Sequence, residues 1–84
     1  MKSRWRVNGR WLDGTEYLVT FADTGIESWR LLTDYLHEMT MKQFLDLHFC
    51  TVEKLLPSEE GYEIVHIVKR ETLVELRRSR VRDK

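Results

Sequence analysis

One cysteine, one proline and four glycines in 84 residues leave this chain few of the usual devices of small domains. A lone Cys excludes an internal disulfide and suits a reducing compartment, so a cytoplasmic location is expected. No apolar run nears the ~18 residues that cross a bilayer, and MKSRWRVNGR at the start lacks the apolar core of a secretory leader. Neither a membrane partner nor targeting is therefore expected. Repeats, low-complexity tracts and linker-like stretches are missing too, which reads as a single domain over residues 1–84 with a frayed tail from Ser79 to Lys84. Net charge is also absent, since fourteen basic residues balance fourteen acidic ones. That balance removes the long-range attraction on which nucleic-acid binders depend.

What is present is a folding composition, 42% hydrophobic and 33% charged. The charges are segregated. Lys2, Arg4, Arg6 and Arg10 stand without an acid in residues 1–12, eleven acids face three bases in residues 13–63, and seven bases face three acids in residues 64–84.

Two strands open the chain. Trp5, Val7, Gly9 and Trp11 alternate with Arg4, Arg6, Asn8 and Arg10, and Tyr17, Val19 and Phe21 alternate in the next run. A two-residue Asp-Gly loop would put the two aromatic sets on opposite faces. A three-residue loop, Leu12-Asp13-Gly14, instead pairs Gly9 with Tyr17 and Val7 with Val19, sets Arg10 opposite Glu16, and gives Gly14 the left-handed turn position. The longer loop is preferred because it keeps the aromatics together.

Two helices are predicted next. Thr24 with Glu27 and Thr40 with Gln43 have capping-box spacing. The first helix carries Ile26, Trp29, Leu32, Leu36 and Met39; the second carries Met41, Phe44, Leu45, His48, Val52, Leu55 and Leu56 up to Pro57. Tyr62–Lys69 (YEIVHIVK), apolar on both faces, reads as an inner strand. Thr72–Arg78 reads as its hairpin partner, although ETLVELRRSR also suits a helix, with acid first and base last. The expectation is an α+β fold of ββααββ order: a four-stranded antiparallel sheet from two hairpins, with an αα-hairpin packed on one face. Trp5, Trp11, Tyr17, Phe21, Trp29, Phe44 and Phe49 would meet in its core.

Candidate chemistry is sparse. His37, His48, His66 and Cys50 lack metal-ligand spacing, so neither metal nor cofactor is expected, and His48 reads as a core histidine. Cys50 with His48 or His66 makes a poor nucleophile pair, because residues two apart on a helix diverge. No enzyme is expected. The outward row Arg4, Arg6, Asn8 and Arg10, spaced about 7 Å along a strand, is a candidate partner-binding surface that Arg77, Arg78, Arg80 and Arg82 would extend. Glu27, Asp34, Glu38, Asp46 and Glu53 on the outward helix sides form a second candidate, suited to a basic protein.

The segments EYLVTF, ESW and KQFLDL, which with what lies between them span residues 16–47, resemble chromo and chromo shadow domains. In those domains a strand ending in an aromatic precedes a Trp-bearing strand and a C-terminal helix. The resemblance implies peptide binding, with Phe21 at a methyl-lysine cage position. The residues themselves favour a small non-catalytic regulator or inhibitor that binds another protein, of a size that phages and mobile elements encode. A nucleic-acid module using the arginine row is the alternative, and self-association through a sheet edge fits either.

Overall fold

The structure is a computed structural model and describes residues 3–79. Alternation at the N-terminus builds its first hairpin. Strand β1 (Trp5–Trp11) runs antiparallel to β2 (Glu16–Ala22), with Gly9 opposite Tyr17 and Arg10 opposite Glu16 as expected. The three-residue loop closes when Trp11 N–H donates to Thr15 O and Gly14 N–H to Trp11 O, both at 2.9 Å. Gly14 takes φ 95°, a left-handed conformation that glycine adopts without a Cβ clash. Gly9 is required for space, because a Cβ there would meet the Tyr17 ring at 2.6 Å.

The register departs from expectation at one residue. Asn8 pairs with Leu18 but Val7 pairs with Thr20, leaving Val19 as the extra residue of a bulge. A bulge changes the parity of everything beyond it. Phe21 therefore lies opposite Arg6, on the face away from Val7, and not in the expected core.

Of the two residues able to cap helix α1 (Gly25–Glu38), Asp23 and Thr24, the structure uses Thr24, whose side chain accepts the Glu27 N–H at 3.0 Å. Ser28, Leu32, Thr33 and Leu36 are its buried positions. The six-residue α2 (Met41–Asp46) has the full capping box, with Thr40 N–H to Gln43 Oε1 at 2.9 Å and Gln43 N–H to Thr40 Oγ1 at 3.1 Å.

The second half corrects the predicted elements. Leu47–Leu55, expected to continue the second helix, is strand β3, which pairs with β1 on one side and with β4 (Tyr62–Val68) on the other. The β-branched and aromatic run Phe49-Cys50-Thr51-Val52 fits a ladder between two available strands better than an isolated apolar stripe. Thr72–Arg78, read as a strand, belongs to helix α3 (Arg70–Arg78), with Glu71 in its first turn and Arg77 and Arg78 in its last. The α+β class and the four-stranded antiparallel sheet from two hairpins hold, in the order β2-β1-β3-β4.

The three helices among the described residues all feed one core. Val7, Cys50, Val52 and Val68 from the sheet meet Leu32 and Leu36 of α1, Phe44 of α2 and Leu73 of α3. Each such side chain contributes about 1.5–3 kcal/mol on full burial. Trp5, Trp11, Tyr17 and Trp29 pack around this core as expected, with the Trp11 and Tyr17 rings stacked at 4.7 Å. Phe49 lies opposite Arg10 on the other face, a consequence of its place in a strand. Among the described residues no helix is long and apolar enough to cross a membrane.

Candidate functional site

The helices cover only the Val7 face of the sheet. Among the described residues the opposite face is open, and the alternation of β1 directs Arg6, Asn8 and Arg10 onto it. Strand β3 adds Phe49, Thr51 and Glu53 beside them, β2 adds Leu18 and Phe21, and β4 adds Tyr62, Ile64 and Ile67.

At the centre sits Glu53, expected on an outward helix side but buried because its segment is a strand. Its Oε1 accepts Arg6 Nε–H at 2.6 Å. Its Oε2 accepts the Thr51 hydroxyl at 2.6 Å and Asn8 Nδ2–H at 3.3 Å. Three donors from two strands thus satisfy a carboxylate with little access to water, as a buried charge requires. The Arg6 guanidinium lies 4.3 Å above the Tyr62 ring, whose hydroxyl donates to Ser3 O at 2.7 Å. Phe21 stands against the same ring, with centroids 6.4 Å apart. Arg10 pairs with Glu16 at 2.8 Å and lies 5.3 Å from the Phe49 ring centre.

The predicted arginine row is therefore split. Arg6 and Arg10 are engaged within the sheet, while Arg4, just before β1, is exposed. Arg77 and Arg78 do not extend the row, because α3 lies on the helical side, where Leu73 enters the core. Arg77 donates to Met39 O at 2.8 Å and to Leu36 O; Arg70 donates to Phe44 O at 2.8 Å and to Leu47 O. Both guanidinium groups flank the Phe44 ring, at 4.7 Å for Arg70 and 5.0 Å for Arg77. Arg78 is exposed, and Arg80, Arg82 and the tail 80–84 lie outside the described residues.

The acidic set disperses likewise. Glu27 accepts the Asp23 N–H at 2.8 Å at the start of α1 and stands 3.7 Å from Arg30. Asp34 and Glu38 are exposed on α1, and Asp46 borders a shallow cleft of about 480 Å³ with Trp11, Leu12, Asp13 and Gln43.

The open face was not legible as a site, although one signal pointed to it. YEIVHIVK is apolar on both faces yet forms an edge strand, so one of those faces meets solvent. Along the two rims, Leu18 is 49% exposed, Phe21 46%, Ile64 56% and Ile67 48%. An antiparallel sheet with one covered face ordinarily turns polar side chains outward. Here Glu53 is buried at the centre, and apart from Glu16 beside Arg10 the rims expose large apolar side chains.

The groups considered for chemistry are scattered. His37 contacts Leu76 O at 3.0 Å, and His66 meets the edge of Trp29 at 5.2 Å. His48, expected in the core, is the exposed extra residue of a bulge in β3. Among the described residues no three of His, Cys, Asp and Glu gather to hold a metal ion. Burial pushes the Cys50 thiol up to about 12, the opposite of what a nucleophile needs. The segments likened to chromo domains are arranged differently, with ESW inside α1 and KQFLDL forming α2 on the way into β3. A cation, Arg6, already covers the aromatic ring beside Phe21. Compared with family models, with curated proteins and with solved structures, the chain matches none.

Proposed function

We propose that the protein is a small non-catalytic interaction module that binds another polypeptide through the open face of its sheet. The observation that carries this reading is the pair of exposed apolar rims, Leu18 and Phe21 on β2 with Ile64 and Ile67 on β4, around a centre where the Glu53 carboxylate is satisfied within the sheet and Arg10 Nε–H is buried without an acceptor among the described residues. Exposed apolar residues gathered on one face and bordered by polar groups are a mark of interaction sites in soluble proteins. Regulation or inhibition by occupying a partner's surface suits a domain whose one thiol is buried and protonated. That same reduced thiol supports a cytoplasmic location.

The test is site-specific photo-crosslinking in cells that make the protein. A benzophenone side chain at Phe21 or at Ile64 is expected to give discrete adducts, and one at Asp34 on the helical side is not. Adducts that fail to form at both rims, or form equally from Asp34, would overturn the reading.

A further inference from the structure

We infer that the occupant of the open face is a second copy of this chain, the two sheets packing face to face with their helices outside. The inference rests on the reading of that face as a protein-binding surface and identifies the partner.

Charge selects the occupant first. The face carries two cations and two anions, and each is paired within the sheet, Arg6 with Glu53 and Arg10 with Glu16. An acidic or basic partner finds no unanswered charge at the centre to pair with. A two-fold interface needs a patch complementary to itself, and an apolar patch whose charges cancel in place meets that need. The chain as a whole has zero net charge, so two copies approach without net repulsion.

Area agrees. Four strands of seven to nine residues, at about 4.8 Å between strands and 3.4 Å per residue, make a flat face of about 450 Å² per copy. Two copies bring together about 900 Å² in plan, close to the ~1,000 Å² a specific interface should clear and in the range of a weak, reversible contact. Layering points the same way. The Cα envelope is a slab 18 Å thin against 38 and 36 Å in its other directions, one sheet with one helical layer. A sheet with helices on one face only gains a second cover for its exposed apolar rims when two copies pack sheet to sheet.

Sedimentation of the full chain from 1 to 200 µM tests the inference. A reversible dimer is expected, at least tenfold weaker in Leu18→Lys and in Ile67→Lys and unchanged in Asp34→Lys, with circular dichroism confirming the fold of each. Should a lysine variant unfold, Ile67→Thr keeps a β-branched residue and is expected to weaken the dimer in the same direction. A wild type monomeric at 200 µM overturns the inference. So does a dimer that the rim substitutions leave intact, which would move the contact elsewhere, for example to the free edge of β4. The crosslinks from Phe21 and Ile64 separate the two readings. An adduct of twice the chain mass supports the second copy, and an adduct with a different protein overturns it while leaving the interaction module standing.

Discussion

At the residue scale, the acidic hydrogens in this core are held by burial. Tyr17 and Tyr35 share a hydroxyl contact of 2.6 Å, and desolvation raises both phenols. The same cause moves the Cys50 thiol from 9.0 to about 12. All three groups bind protons more tightly folded than unfolded, so above pH 9 the unfolded chain carries fewer protons than the native one. Stability is then fully present below pH 9 and falls as pH rises toward 12. For the thiol alone the slope approaches about 1.4 kcal/mol per pH unit. Urea midpoints measured from pH 8 to 11 are expected to fall steadily above pH 9. Cys50→Ala, less stable at pH 8 because it empties core volume, is expected to lose less with pH than the wild type does. A midpoint flat across that range would mean that the thiol is not protected. The surroundings of Tyr17 were readable from sequence, because the hairpin register placed it opposite Gly9 and only glycine fits beneath its ring. Glu53 was not readable, since its burial depends on which secondary structure its segment adopts.

At the element scale, β3 and α3 exchange their expected roles. In LHFCTVEKL the spacing of His48, Val52 and Leu55 imitates a helical stripe. Period-two alternation is hidden because His48 is a bulge residue and because Phe49, on the open face, is as apolar as Cys50 on the core face. The β-branched and aromatic density was the better cue, and pairing with β1 and β4 decided the outcome. The strand count survived because one strand gained offsets one lost. With β3 in the sheet, the segment after β4 is free to follow its own acid-first, base-last preference and become α3. That helix is fastened by its arginines. Arg77 reaches carbonyls at the C-terminal end of α1 and lies against Phe44, so Arg77→Ala removes two bonds to half-buried carbonyls and a ring contact. A cost of about 2 kcal/mol is expected in denaturant unfolding. Arg77→Lys should recover little, since a point charge lacks the planar fork. The exposed neighbour Arg78, changed to Ala, should stay within about 0.5 kcal/mol.

At the scale of the whole molecule, the basic ends and acidic middle of the sequence do not remain separate charged surfaces. The fold brings Arg6 from the first segment to Glu53 from the second, and Arg10 to Glu16. It turns Arg70 and Arg77 from the third segment onto backbone carbonyls on the other side of the sheet. A nucleic-acid surface needs cations that can trade counterions for phosphates, and each such contact steepens the salt dependence of binding by about 0.9 in log–log slope on duplex DNA. Cations engaged within the fold contribute little to that exchange. Arg4 and Arg78 are exposed, but they lie on different layers and do not form one track. Labelled mixed-sequence DNA and RNA, titrated by fluorescence anisotropy at 20 and 200 mM salt, are therefore expected to show no salt-dependent binding up to 50 µM protein. The informative variants are Arg4→Glu and Arg78→Glu, because reversing Arg6 would set a second carboxylate against Glu53 and test the sheet in place of the surface. Binding that weakens with salt and is lost in Arg4→Glu would make the N-terminal arginines a phosphate contact. It would also shift the function from the apolar rims to the basic end of the first strand.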